Sequence, residues 1–194
     1  MLKIWSMKKA QKQAEDAEAL AAGGKKKKVT AAQLRIQTDL AEIDQDESFR
    51  KTLNTEYKDK DDILNFSLII EPDEGMYRGG RFIFDFSASQ NFPHEPPKVR
   101  CRQKIYHPNI DLEGNVCLNI LREDWKPVVT LKFVLIGLQH IFLDPNAKDP
   151  LNKEAAEELK NNKEVFKRNV RKAMAGGKIM NSARQEVTYT KVLP

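Results

Sequence analysis

Three strand-like runs, joined by short turn-rich connections, constrain this chain more than any other feature. They are ILNFSLII (63–70), RFIFDFSAS (81–89) and KVRCRQ (98–103). Within the second run Phe82, Phe84 and Phe86 fall on every second position, so they share one face of a strand, which should be the core face. Short connections favour neighbouring antiparallel strands, because parallel strands need longer crossovers. The runs therefore predict an antiparallel meander, and a weaker first strand near residues 49–53 would make it four-stranded.

Helical patterns lie on both sides of the predicted sheet. The tetrapeptide TAAQ at 30–33 has the spacing of a capping box, and apolar residues then recur at helical intervals as far as Ile43. Further helices are predicted over 130–143 and near 152–160 and 162–174, the last ending before a pair of glycines. One helix, a four-stranded meander and then more helices define an α+β domain.

The charge of the chain is confined to its N-terminus. The formal charge is +5, and residues 1–28 account for it with eight lysines and three acids. The rest of the chain balances, so the predicted domain lacks the basic surface of a nucleic-acid binder. We divide the chain into a flexible N-terminal arm and basic tether (1–28), a folded domain (29–177) and a C-terminal tail (178–194) to which the sequence assigns no role.

The cysteines and the hydropathy pattern indicate the compartment. Two cysteines without a C-x-x-C motif favour a reducing environment over a disulfide framework. The N-terminus lacks the apolar run of a signal peptide, and no segment is long and apolar enough for a membrane span. We expect an intracellular protein that works without a membrane.

A metal site is not expected. The three histidines are too widely spaced for a zinc site, and DLEGN (111–115) resembles a calcium loop only faintly. Such a loop needs a bidentate acid at its twelfth position, which is Arg122 here.

The two cysteines differ in their surroundings. Cys101 lies in an alternating strand and is expected to be a buried apolar side chain. Cys117 follows a turn within a long irregular stretch (106–129), and such stretches are usually functional. Judged on the residues alone, Cys117 could be structural, could pair with His107 as in a Cys/His hydrolase, or could be a nucleophile without a base.

A set of linked motifs narrows these alternatives. HPNI, NVCLNIL, W-x-P and DP-N-x-x-DPLN occur in order, and together they resemble the ubiquitin-conjugating enzyme family over residues 31–175. The resemblance implies an N-terminal helix, a four-stranded antiparallel sheet and C-terminal helices. This fold agrees with the pattern of strands and helices above.

The resemblance also implies the chemistry. Family members are acyltransferases that carry a ubiquitin-like protein as a thioester on a cysteine, here Cys117, and pass it to a lysine. A thiol is nucleophilic enough at neutral pH to be loaded without a dedicated base. Asn109 corresponds to the asparagine that stabilises the oxyanion or orders the loop beside it, and Asp149 to the acid that positions the lysine. No bound cofactor is implied, since ATP is consumed upstream by the activating enzyme.

The N-terminal peptide MLKIWSMKK, together with DLEGNVCLNILREDWKPV, is most similar to the neddylation branch of the family. By this resemblance Trp5 and Met7 dock on a heterodimeric activating enzyme, and Met1, Leu2 and Ile4 dock on a co-ligase. The tether would raise the local concentration of the arm.

Two loops are implied to bind a RING-type ligase. They are represented by Pro93 and His94 in the first loop, and by Lys126 and Pro127 in the second. With cullins as substrates, the expected protein is a monomeric neddylation-type conjugating enzyme of the cytoplasm and nucleus. The alternatives are an ordinary ubiquitin-conjugating enzyme and a catalytically silent modifier-binding scaffold of the same fold.

Overall fold

The structure is a computed structural model, and it describes residues 29–49, 51–59 and 61–194. Four helices are present in this part of the chain: α1 (Ala31–Gln45), α2 (Leu131–Leu143), α3 (Lys153–Asn161) and α4 (Lys163–Met174). The strands are β1 (Leu53–Glu56), β2 (Asn65–Ile70), β3 (Phe82–Ser87), β4 (Lys98–Cys101), β5 (Lys178–Met180) and β6 (Glu186–Thr188). Two short 3₁₀ helices, Glu47–Phe49 and Asn119–Leu121, complete the secondary structure.

The sheet confirms the predicted meander. Strands β1 to β4 are neighbours in chain order and every pair is antiparallel. Phe82, Phe84 and Phe86 are almost completely buried, as their alternation predicted. Phe86 pairs across the ladder with Phe66, and the two rings stack 4.4 Å apart. Cross-strand aromatic pairs of this kind stabilise a sheet and fix its register.

The first strand lies later in the sequence than predicted. The prediction near residues 49–53 was wrong, because Glu47–Phe49 forms a 3₁₀ turn that buries Phe49, and β1 begins only at Leu53. A buried aromatic residue occurs in turns as well as in strands, so one apolar position does not distinguish the two. Burial rather than strand pairing explains Phe49.

The start of α1 is as predicted. The Thr30 hydroxyl accepts from the backbone N–H of Gln33 at 3.2 Å, and the Gln33 amide oxygen accepts from the Thr30 N–H at 3.0 Å. This capping box satisfies two backbone donors that a helix start would otherwise leave unpaired.

Helix α2 packs against the core face of the sheet. The ring of Phe142 stacks on Phe82 at 4.4 Å and meets Phe84 edge-on at 6.0 Å. Burying each such side chain contributes roughly 1.5–3 kcal/mol to stability. The contact fixes α2 between the sheet and the irregular stretch that holds Cys117.

The segment 178–194, set apart from the domain in the sequence division, folds back onto it. Strands β5 and β6 form a hairpin, after which Tyr189 and Val192 are buried in the same core as the sheet. Backbone hydrogen bonds join Arg81 N–H to the carbonyl of Val192 and Thr190 N–H to the carbonyl of Lys104. The hairpin and the segment that follows it (189–194) are therefore part of the folded domain.

Candidate active site

The irregular stretch before Cys117 is anchored to β4 by a glycine. Gly114 has a φ of +88°, and a Cβ at this position would collide with the carbonyl oxygen of Cys101. Only glycine combines this backbone conformation with so close an approach. The carbonyl of Gly114 accepts from the N–H of Cys101 at 2.8 Å, so the loop adds to the edge of the sheet.

The segment DLEGN is a turn closed by its own carboxylate. Oδ1 of Asp111 accepts from the backbone N–H groups of Glu113 and Asn115, and Oδ2 accepts from the Asn115 side chain. These are the contacts of an Asx turn. Within the described residues no group of three or more His, Cys, Asp or Glu is placed to hold a metal ion.

His107 is a structural side chain. It is fully buried, with Nε2 2.9 Å from the carbonyl oxygen of Ile141 and Nδ1 accepting from the N–H of Asn109 at 2.9 Å. These partners fix the neutral tautomer with its proton on Nε2. Burial lowers the pKa of His107 to about 3. Both ring nitrogens are occupied by backbone groups, which excludes the Cys/His hydrolase arrangement.

Asn109 uses its side chain to hold a distant loop. Its Oδ1 accepts from the N–H of Asn146 and its Nδ2 donates to the carbonyl of Asn146, both at 2.9 Å. The carbonyl of Pro108 accepts from the N–H groups of Leu151 and Asn152, both at 3.0 Å. The motif HPN therefore fixes both ends of residues 144–152, which we name the gate segment.

The gate segment places Asp149 beside Cys117. The Cys117 thiol lies 3.7 Å from Oδ2 of Asp149, and the backbone N–H of Cys117 donates to the carbonyl of Asn109 at 2.8 Å. The residues that the sequence assigned to catalysis, Cys117, Asn109 and Asp149, are thus in one place. Cys117 is partly exposed, unlike Cys101, which is buried.

The electrostatics at Cys117 favour the thiol. Partial burial raises the pKa of Cys117, the carboxylates of Asp149 and Glu123 raise it further, and the guanidinium of Arg122 opposes them. Among the described residues the acceptor beside the thiol is the Asp149 carboxylate, whereas His107 is held by backbone groups and does not reach the sulfur. The minor thiolate population that remains at neutral pH is nonetheless a strong nucleophile.

Sequence reasoning missed two members of the site. Asn146 meets Asn109 through its backbone groups, which carry no sequence signal. Arg122 affects Cys117 by charge alone and was considered only as a failed calcium ligand. Its place shortly after the cysteine was the one available indication.

The predicted ligase loops are neighbours in the structure. The indole N–H of Trp125 donates to the carbonyl of Pro93 at 2.9 Å and links the first loop to the second. His94, Lys126 and Pro127 are exposed beside this link. The predicted docking residues of the arm, Met1, Leu2, Ile4, Trp5 and Met7, lie outside the described residues, as does the basic tether.

Comparison with known proteins identifies the family. Residues 35–174 match the family described as ubiquitin-conjugating enzyme, which is more than half of the chain. The chain belongs to the ubiquitin-conjugating enzyme family. The α+β fold and the enzyme class predicted from the motifs, an acyltransferase of this fold, are thereby confirmed.

Individual relatives cover nearly the whole chain. It is 60% identical to the NEDD8-conjugating enzyme UBC12 of Yarrowia lipolytica over 179 residues, covering 92% of this chain and 94% of the relative. It is 52% identical to the Nedd8-conjugating enzyme UbcE2M of Drosophila melanogaster over 177 residues, covering 91% and 93%. The solved structure of S. cerevisiae Ubc12 superposes with a TM-score of 0.75 at 39% identity, covering 97% of this chain and 96% of that one.

None of the helices described here has both the length and the apolar character needed to cross a bilayer.

Proposed function

We propose that this chain accepts the neddylation modifier as a thioester on Cys117 and transfers it to lysines of cullin substrates. The observation that carries this proposal is a partly exposed Cys117 thiol 3.7 Å from the carboxylate of Asp149. Asp149 lies on the gate segment, which Asn109 holds in place. The relatives named as NEDD8-conjugating enzymes support the choice of modifier.

Loading is a thiol–thioester exchange, in which the modifier moves from a cysteine of the activating enzyme to Cys117. The Cys117 thiolate attacks the carbonyl carbon at the modifier's C-terminus, a C–S bond to Cys117 forms, and the bond to the activating enzyme's cysteine breaks. The departing thiolate takes up a proton, and one thioester replaces another, so little net driving force is required. ATP is spent earlier, by the activating enzyme.

Transfer is harder, because lysine is almost entirely protonated at neutral pH. In our proposal the Asp149 carboxylate accepts a hydrogen bond from the incoming ammonium and orients it as it loses a proton to solvent. The neutral amine attacks the thioester carbonyl, and an isopeptide bond forms as the C–S bond to Cys117 breaks. The second proton leaves the nitrogen and is taken up by the departing Cys117 thiolate, directly or through solvent. Orientation of two reactants in this manner can supply much of the rate.

Asn109 supports this step through the gate segment. Its hydrogen bonds to Asn146 order the loop that presents Asp149. A direct contribution to the oxyanion is also proposed, since a preorganised amide donor beside the reacting carbonyl lowers the barrier to the tetrahedral intermediate.

The partners are proposed on the same basis. The arm would dock through Trp5 and Met7 on the activating enzyme and through Met1, Leu2 and Ile4 on a co-ligase. The exposed loops at His94 and Lys126 would receive a RING-type ligase. Cytoplasm and nucleus are the proposed compartments, where such partners act.

The test is a loading assay. The purified chain is offered the neddylation modifier and ubiquitin, each with its own activating enzyme and ATP, and products are separated on a non-reducing gel. We expect a reducible adduct with the neddylation modifier. Preferential loading with ubiquitin would overturn the choice of modifier, and no adduct in either arm would favour the silent scaffold.

A further inference from the structure

The start of helix α2 is capped by a residue from another helix. Thr130 occupies the N-cap position, yet its hydroxyl makes no capping hydrogen bond and is buried with no partner among the described residues. Instead the first helical N–H, of Leu131, donates to Oδ2 of Asp39 in α1 at 2.9 Å. A carboxylate at a helix N-terminus is favourable, because it meets unpaired donors and the positive end of the helix dipole.

The same carboxylate holds an arginine that binds the second ligase loop. Oδ1 of Asp39 accepts from Nε of Arg35 at 2.9 Å. The guanidinium then donates to the carbonyl oxygen of Pro127 at 2.7 Å and to that of Val129 at 2.8 Å. One guanidinium with a fixed fork of donors thus binds three acceptors, a geometry that lysine does not reproduce.

Arg35 also contacts the first ligase loop. Its guanidinium carbon lies 5.9 Å from the centre of the Phe92 ring, within the range of a cation–π contact. Phe92 precedes Pro93, whose carbonyl accepts from Trp125. Both loops are therefore joined to α1 through this one side chain.

At its middle, α2 reaches the residue after the cysteine. An added Cβ on Gly137 would lie 3.6 Å from the Leu118 side chain and 3.9 Å from that of Ile120. The helix backbone is thus packed against the segment that follows Cys117. A continuous set of contacts runs from the ligase loops through Arg35, Asp39 and α2 to Leu118.

We infer that Arg35 and Asp39 form a positioning pair that sets the ligase loops relative to Cys117, so that a bound ligase accelerates discharge of the thioester. This inference rests on the proposed function, which assigns ligase binding to these loops. Asp39 is only 3% exposed, so it cannot itself contact a ligase, and any effect of changing it must act through its neighbours.

The pair is separate from the groups that hold the reacting atoms. Cys117 and Asp149 are placed by Asn109, Pro108 and the gate segment. Loss of the pair should therefore spare the intrinsic transfer to free lysine and reduce only the part that a ligase adds.

The test compares Asp39→Asn with Lys132→Ala. In Asp39→Asn one of the two carboxylate acceptors becomes a donor, so Arg35 and the Leu131 N–H can no longer both be satisfied. Lys132→Ala removes the ion pairs from Lys132 in α2 to Glu42 in α1, 4.0 Å apart, and to Asp46 at the end of α1, 2.8 Å apart; neither acid belongs to the ligase loops. Both proteins are loaded with modifier, and single-turnover discharge is followed with free lysine, with and without saturating RING-type ligase.

For Asp39→Asn we expect the ligase-stimulated rate to fall about tenfold while the ligase-free rate stays within about twofold, a size usual for coupled sites. Lys132→Ala should leave both rates near those of the parent. An equal fall of both rates in Asp39→Asn, or an unchanged ligase-stimulated rate, would overturn the inference.

A second variant covers the case of poor folding. If Asp39→Asn melts at a much lower temperature than Lys132→Ala, Arg35→Lys replaces it, since it keeps the charge and loses the fork. In Arg35→Lys the ligase-stimulated rate should again fall while the ligase-free rate stays near that of the parent. If both rates fall equally, or neither falls, the inference is overturned. Failure of the parent chain to load would instead count against the proposed function, so the two failures are distinguishable.

Discussion

Cys101 and Cys117 show how differently one chain uses the same side chain. Cys101 ends β4 on the core face, its thiol donates to the carbonyl of Gln103 at 3.3 Å, and burial raises its pKa to about 12. Cys117 lies sixteen residues later in an irregular loop, partly exposed and 3.7 Å from Asp149. The regular sheet makes a sulfur inert by enclosing it, whereas the loop leaves a sulfur accessible and places an acid beside it.

The difference between Cys101 and Cys117 does not come from a basic side chain that lowers the pKa of Cys117. The pKa of Cys117 is also raised, by partial burial and then by neighbouring carboxylates. Accessibility and the position of Asp149 therefore separate the two sulfurs, and each of the following changes tests one part of that statement.

The largest effect should come from replacing the exposed sulfur. Cys117→Ser should abolish the thioester and accumulate an oxyester that survives thiol reductants, since an oxygen ester is a poorer acyl donor to amines. Loading followed by reducing and non-reducing gels measures this. A thioester formed by Cys117→Ala would show that Cys101 can be acylated, and the comparison would fail.

Asn109→Ala should load normally but discharge to lysine about 10²-fold more slowly, the size typical of losing one preorganised donor. In addition the N–H and carbonyl of Asn146 lose their partner, which loosens the gate segment. Single-turnover discharge at saturating lysine measures the effect.

Asn146→Ala is the matched control for Asn109→Ala. Asn109 binds the backbone of residue 146, so those hydrogen bonds remain in Asn146→Ala, whereas the bond from the Lys148 N–H to Oδ1 of Asn146 at 2.8 Å is lost. Discharge should therefore fall much less than in Asn109→Ala. If Asn109→Ala cannot be loaded at all, its role is structural and the assignment to the transfer step is wrong.

Asp149→Asn should have two effects of opposite sign. Lysine discharge should fall roughly tenfold near neutral pH, because the ammonium loses its carboxylate partner. Alkylation of free Cys117 by iodoacetamide should become faster below the thiol's pKa, because removing the negative charge of Asp149 lowers the pKa of Cys117.

Glu123→Gln separates these effects. Glu123 also raises the pKa of Cys117, so this variant should be alkylated slightly faster without slower discharge. Equal discharge rates at every pH in Asp149→Asn and the parent would remove Asp149 from the transfer step.

The smallest effect on activity should come from Cys101→Ala. Discharge should remain within about twofold, while the free energy of unfolding falls by about 1 kcal/mol near neutral pH for the lost packing. A large loss of discharge without a change in melting temperature would show that Cys101 takes part in the chemistry.

The same variant has a pH signature. Burial raises the pKa of Cys101 in the folded protein from 9.0 to about 12. The stability that the protonated Cys101 thiol contributes is therefore fully present below pH 9 and is lost as pH rises towards 12. Between pH 9 and 12 the unfolding free energy of the parent should therefore fall, relative to that of Cys101→Ala, by about 1.4 kcal/mol per pH unit. Denaturant unfolding of both proteins at increasing pH measures it.

Local patterns account for what could be predicted. The alternation of Phe82, Phe84 and Phe86 fixed the core face of β3, and Thr30 and Gln33 marked the start of α1 through a contact three residues apart. These interactions are short-range, so their spacing is visible in the chain. The motif around Cys117 predicted it to be the reacting sulfur only through resemblance to a family, whereas composition and spacing alone left three roles open.

Contacts between distant segments could not be predicted. Thr130 has the residue type of an N-cap, yet Asp39, ninety-two residues before Leu131, caps α2 instead. The hairpin after Met174 had no interpretable pattern, although Tyr189 and Val192 complete the core. Such contacts depend on where folded elements meet, which has no period in the sequence.

The sequence by itself determined the four helices and the order of strands β2 to β4, because these follow from spacings of a few residues. It singled out Cys117 through the resemblance of its motifs to a family. Only the tertiary structure decided that Cys117 is partly exposed while Cys101 is buried. It also decided that Asn109 hydrogen-bonds to Asn146, thirty-seven residues away. The reason is that burial and hydrogen bonding between distant segments exist only once the chain has packed.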